Sequence, residues 1–135
     1  GREVKDPEGR VVRRIEPEAA GRIDLDPATV AAMRSGFADV VQAEDGTAYW
    51  AFAGYPFSRL AGGIAGKTGT AQVAGKGLTS VFAGYFPAGA PRYAVVALVE
   101  EAGHGSEIAA PIVRRVVESM TGVAPTPIAT GTGSD

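Results

Sequence analysis

The segment Gly66-Lys67-Thr68-Gly69-Thr70-Ala71 constrains this chain more than any other. It sets one cation and two hydroxyls among closely spaced glycines. A glycine removes the side chain that would hold a ligand away from the backbone. In a β-strand, successive side chains point to opposite faces. Read as a strand, the segment sends Thr68 and Thr70 one way and Lys67 and Gly69 the other. One face then carries hydroxyls, and the other a positive charge beside a gap. Backbone N–H groups left unpaired along such an edge stabilise a developing negative charge. The stretch therefore reads as an edge that handles an anion: a carboxylate, an oxyanion or a phosphate.

Three readings fit the bare motif. Lys67-Thr68-Gly69 matches the K-[ST]-G pattern of penicillin-recognising serine enzymes. Ala61 to Thr68 (AGGIAGKT) approaches a phosphate-binding P-loop, with Ala61 where the first glycine belongs. The plainest reading is a glycine-rich turn with an exposed lysine. The surrounding chain has to decide between them.

At 135 residues the chain is one domain in size, or part of a larger one. With 45% apolar and 21% charged residues it is of ordinary globular composition. Its 13 basic residues are not gathered into a stripe and the net charge is −2, so no nucleic-acid partner is expected. The absence of cysteine excludes disulfides and a thiol nucleophile. A single histidine, His104, excludes a cluster of histidine ligands, and no metal or other cofactor is expected. There is no signal peptide and no apolar run long enough to span a bilayer, so a membrane anchor would have to lie outside this chain.

Along the chain, Asp6-Pro7-Glu8-Gly9 is a turn flanked by Val4 and by Val11 to Ile15, which predicts a short exposed hairpin with Arg13 and Arg14 solvated. Asp26-Pro27 opens a helix, aspartate at the cap and proline in the first turn. Val30, Met33, Phe37, Val40 and Val41 recur at helical spacing to about Val41, and predict a core-facing stripe. Tyr49, Trp50, Phe52, Tyr55 and Phe57 cluster next. They read as a packed lobe or strand edge, or as a wall beside a ligand groove. Ser80 to Phe86 and Tyr93 to Glu100 are strands joined by a Pro/Gly turn, hence an antiparallel hairpin. After a polar loop holding His104, a helix from about Glu107 or Ala109 to Met120 carries Ile108, Ile112, Val113, Val116, Val117 and Met120, with Pro111 in its first turn and Gly122 at its end. His104 reads as a surface loop residue, or as the border of a groove. Residues 123–135 are small and polar and predict a disordered tail.

This order disfavours the P-loop, which needs a helix directly after its lysine and parallel strands beyond. Here Gly69, Gly75 and Gly77 follow, and then a hairpin. The other reading fits in register: Val11–Ile15 after the turn, Leu25-Asp26-Pro27, Gly46-Thr47-Ala48, Ala65 to Gln72 (AGKTGTAQ), Phe82 to Ala88, Tyr93–Glu100, and Ala109-Ala110-Pro111-Ile112. From about Gly1 to Gly122 the sequence resembles the C-terminal part of the transpeptidase domain of class B penicillin-binding proteins, most of all the elongation-type, penicillin-binding protein 2-like subgroup. The resemblance implies an α+β fold: a central antiparallel sheet with flanking helices, the C-terminal portion of the serine β-lactamase/transpeptidase-like architecture.

The resemblance also implies roles. Lys67 would supply the ammonium that polarises the site and assists proton transfer. Thr68 and Thr70 would hold the carboxylate of a peptide or β-lactam. The Thr70 N–H would form half an oxyanion hole, and Gly69 would let the strand lie close to the helix of the nucleophile. Lys67 and Thr70 are thus the expected catalytic residues, and Lys67, Thr68, Gly69 and Thr70 the substrate-binding ones. The family also needs a Ser-x-x-Lys and a Ser-x-Asn. No serine here has lysine three positions on, and the chain has no asparagine. Both motifs precede this segment in the family. The expected partners are therefore an N-terminal remainder carrying them, peptidoglycan stem peptides and β-lactams, on the extracytoplasmic face of the bacterial membrane. A β-lactam sensor or a β-lactamase-related domain is the alternative within the same superfamily. A sheet bearing Val95, Val96, Leu98 and Val99 needs cover on both faces, and the helices here suffice for one.

Overall fold

A computed structural model describes residues 2–16 and 18–128. Strands β1 (Glu3–Lys5) and β2 (Val11–Arg14) form an antiparallel hairpin that is exposed throughout. Asp6 closes its turn by accepting from the Arg10 amide at 2.8 Å. Helix α1 (Pro27–Gln42) starts where Asp26 accepts from the amides of Ala28 and Thr29 at 2.9 and 3.0 Å. The Thr29 hydroxyl, followed by those two amides, holds the Asp26 carboxyl below the usual carboxylate range. Next come a short helix α2 (Tyr49–Phe52) and a single 3-10 turn, Phe57–Arg59. Three strands then form one sheet in the order β3 (Ala65–Ala71), β4 (Thr79–Phe86), β5 (Tyr93–Val99), all antiparallel. Helix α3 (Ala109–Thr121) closes the fold and ends at Gly122, whose φ of 66° is the left-handed cap a glycine allows.

Directly opposed residues share a face of the sheet. Gly66 pairs with Gly84, Thr68 with Phe82 and Phe82 with Ala97, and this face is the covered one. Phe82 and Phe86 lie there fully buried with Phe52, Tyr55, Val113 and Val117, and Val95 and Ala97 pack against them. The Phe52 and Phe82 rings meet at 5.8 Å. A Cβ on Gly66 would stand 2.4 Å from the Phe82 ring, so only glycine lets β3 lie this close to β4. The other face carries Lys67, Ala83 and Val96 in one row. It is open: Val96 is 66% and Leu98 60% exposed, as expected for a sheet covered on one side.

Two helical stripes differ from expectation. On α1 only Val41 is buried, with Val40 packed beside it, while Met33 is exposed. The helix is fastened at its C-terminal end, where Gln42 Nε2 donates to the Ile64 carbonyl at 2.9 Å. Its earlier turns overhang a groove of about 360 Å³, which Val30, Met33 and Phe37 line together with Tyr85 and Pro91. On α3 the buried face holds Val113 and Val117 as expected, but also Arg114 and Glu118. Ile108, Ile112, Val116 and Met120 lie on the exposed side. The aromatic cluster is a packed lobe at Phe52 and Tyr55, whereas Trp50 is exposed. Of the tail, Val123 packs on the core and Thr126 accepts from Arg114, while residues 129–135 lie outside the described residues.

Candidate active site

Lys67, Thr68, Gly69 and Thr70 stand on β3, which among the described residues has β4 as its one neighbour. Among the described residues no strand lies along its other edge, where alternate backbone groups point away from the sheet. The alternation read from the sequence holds. Lys67 faces the open side, and its Nζ donates to the Thr68 carbonyl at 2.6 Å. Thr68 is buried on the other face, where its hydroxyl meets that of Thr47 at 2.8 Å. Thr47 lies in the loop after α1, so the Gly46-Thr47-Ala48 segment reaches the site through that one hydroxyl pair.

Thr70 lies on the same face as Thr68 but further along, towards the loop between β5 and α3. Its Oγ1 is 3.5 Å from His104 Nδ1. His104 lies in the loop between β5 and α3, beside the end of the motif strand. Ser80 on β4, fully buried, donates its hydroxyl to the His104 carbonyl at 2.9 Å and accepts from the Ala109 amide at 3.0 Å. Gly105 lies flat against the neighbouring backbone. A Cβ there would stand 2.3 Å from the Val81 carbonyl oxygen and 2.5 Å from that of Gly69. Gly105→Ala is therefore expected to lower stability by about 1–3 kcal/mol, the usual cost of overpacking. It should displace β3 or the loop, and urea unfolding of the variant checks it. The sequence held no local signal for Ser80 or Gly105, because both act across contacts between distant segments.

Site and fold together define a class: an α+β domain with an antiparallel sheet whose edge strand carries Lys-Thr-Gly-Thr. The penicillin binding protein transpeptidase domain family matches residues 2–118, and the chain belongs to that family. Within it the chain is PBP2-like, of class B. It is 36% identical to Pseudomonas aeruginosa PBP2, solved in complex with WCK 5153, with a TM-score of 0.66 over 78% of this chain and 23% of that one. Helicobacter pylori PBP2 follows at 27% identity and a TM-score of 0.61, over 73% of this chain and 18% of the other. The transpeptidase domain of the Legionella pneumophila FtsI4 D,D-transpeptidase has 27% identity and a TM-score of 0.57, over 74% and 37%. The chain thus spans between about a fifth and two fifths of these solved structures. No curated protein sequence matches it. The transpeptidase/β-lactamase-like fold expected from the sequence is the one these structures share.

Proposed function

We propose that residues 1–122 are the C-terminal part of a peptidoglycan D,D-transpeptidase domain, with residues 123–135 as a tail, and that β3 is its substrate strand. One observation carries the reading: an edge strand of the sheet sorts Lys67 from Thr68 and Thr70 onto opposite faces. Lys67 supplies the cation beside the reacting serine, and the threonine hydroxyls hold the substrate carboxylate. The Thr70 amide is one donor of the oxyanion hole, and Gly69 lets the strand lie close to the helix that carries the nucleophile.

The nucleophile lies outside these residues, because the chain has neither a Ser-x-x-Lys nor an asparagine for Ser-x-Asn. In the complete enzyme the serine oxygen attacks the carbonyl carbon of the penultimate D-alanine of a stem peptide. The C–N bond breaks, and the terminal D-alanine leaves with the proton on its amine. An amine of a neighbouring strand then displaces the serine. A β-lactam stops at the acyl stage. The domain works on the extracytoplasmic side of the membrane, held there by an anchor outside this chain. No helix among the described residues is long and apolar enough to cross a bilayer.

Labelling with a fluorescent penicillin, read on a denaturing gel, tests this. The full-length enzyme should carry the label, and the 135-residue chain alone should not. Label on the isolated chain would place the nucleophile within it and overturn the reading. So would a full-length enzyme that takes up no label.

A further inference from the structure

We propose that His104 is a positioning residue: it orients the Thr70 hydroxyl so that its proton points at the substrate carboxylate. The inference rests on the reading of β3 as the substrate strand. His104 Nδ1 stands 3.5 Å from Thr70 Oγ1, although the two residues are 34 positions apart. The loop that brings them together is fastened through its backbone. The His104 carbonyl accepts from the Ser80 hydroxyl at 2.9 Å and from the amides of Glu107 and Ile108 at 3.2 and 3.3 Å. The next carbonyl, that of Gly105, accepts from the Ala110 amide at 2.9 Å, and Gly105 itself presses on Gly69 and Val81. The ring is therefore delivered to the end of β3 by main chain that α3 and β4 hold in place.

The chemistry follows from the capacities of each group. A hydroxyl has one proton and two lone pairs, and an ionised carboxylate only accepts. To hold a carboxylate, Thr70 has to give that proton to it. A neighbour that accepts from Oγ1 would take the proton away, whereas one that donates to Oγ1 leaves it for the ligand. Histidine with hydrogen on Nδ1 is such a donor, and the chain then runs Nδ1–H to Oγ1–H to carboxylate. No proton is transferred, and no bond forms or breaks.

The test compares acylation of the full-length enzyme by benzylpenicillin with acylation by its methyl ester, which lacks the anionic carboxylate. His104→Ala should lower the second-order rate constant for benzylpenicillin by up to about tenfold, the upper end for one hydrogen bond between neutral groups. The ester's rate should hardly move. His104→Asn should restore most of the loss, since the amide nitrogen stands where the ring Nδ1 stood. In a Thr70→Ala background, His104→Ala should add nothing. An equal loss with both compounds, an additive loss in the Thr70→Ala background, or no recovery with asparagine would overturn the proposal. If Lys67→Ala and Thr70→Ala both acylate at the wild-type rate, the substrate-strand reading fails and the proposal with it. If those two are slow and His104→Ala is not, the proposal alone fails.

Discussion

Lys67→Ala in the full-length enzyme should slow acylation by a β-lactam by at least about 10²–10³-fold, the loss seen when one oxyanion-hole donor is removed. The lysine is the cation of the candidate site, and it lies on the strand rather than on a mobile loop. Its Nζ already donates to the Thr68 carbonyl at 2.6 Å, which ties the exposed side chain to its own strand. Truncation leaves a strand that still pairs with β4, because neighbouring Gly66 and Thr68 make the close contacts on the covered face. The variant should therefore fold and bind, and lose rate. Arginine should not rescue it, since a planar fork does not reproduce a compact point charge. Stopped-flow acylation with a chromogenic cephalosporin checks the prediction, and an unchanged rate would remove Lys67 from the chemistry.

The second large effect concerns stability. Arg114→Ala should cost about 3–5 kcal/mol, as breaking a buried ion pair from one side does. Arg114 is fully buried and Glu118 is 1% exposed, and Arg114 Nε donates to Glu118 at 2.9 Å. The guanidinium also donates to the carbonyls of Ala51 and Ala53 at the end of α2, at 3.0 and 2.9 Å, and to Thr126. Removing it strands a carboxylate with Arg115 alone, which reaches Glu118 at 2.6 Å from a partly exposed position. It also leaves two carbonyls unpaired. Replacing both partners by Met and Leu should restore the part of the loss that comes from the stranded carboxylate, since well-packed apolar pairs substitute for buried ion pairs at little cost, while the Ala51 and Ala53 carbonyls stay without their donor.

The pH dependence of this pair has a definite sign. Burial alone would push the Glu118 carboxyl up. Hydrogen bonds from Arg115 and then Arg114, together with the attraction of both charges, outweigh burial and hold it below the usual range. A folded-state pKa lower than the unfolded one gives stability that is fully present above the ordinary Glu value, about 4.3. That stability is lost as the pH falls through the folded value. Urea titrations at neutral pH and below pH 4 should show a smaller acid loss in the Met/Leu variant than in the wild type.

The parts of the fold that depend on local order were legible in the sequence. Strand alternation alone separated Lys67 from Thr68 and Thr70. The Asp26 cap and the Gly122 stop bounded two helices to within a residue or two. The Pro/Gly turn between Phe86 and Tyr93 announced the hairpin. What escaped was set by pairing at a distance. Arg114 and Glu118 do not enter the apolar stripe read on α3, because a hydrophobicity stripe does not register two charges that neutralise each other inside. With these two on the buried face of α3, Ile112, Val116 and Met120 lie outward. The α1 stripe misled in a similar way, because spacing reports that a face is apolar and not what stands opposite it. At the site, Ser80 and Thr47 are unremarkable hydroxyls until the sheet brings them to His104 and Thr68.

Ser80 has a mechanical consequence. Its one hydroxyl joins the His104 carbonyl to the amide that begins α3, so the rim of the site and the foot of the helix are a single strut. Swinging the His104 loop outward would unseat the first turn of α3 and lift Gly105 off the strand. This wall does not act as a door. Among the described residues no strand lines the outer edge of β3, so access to the strand is governed by whatever faces that edge.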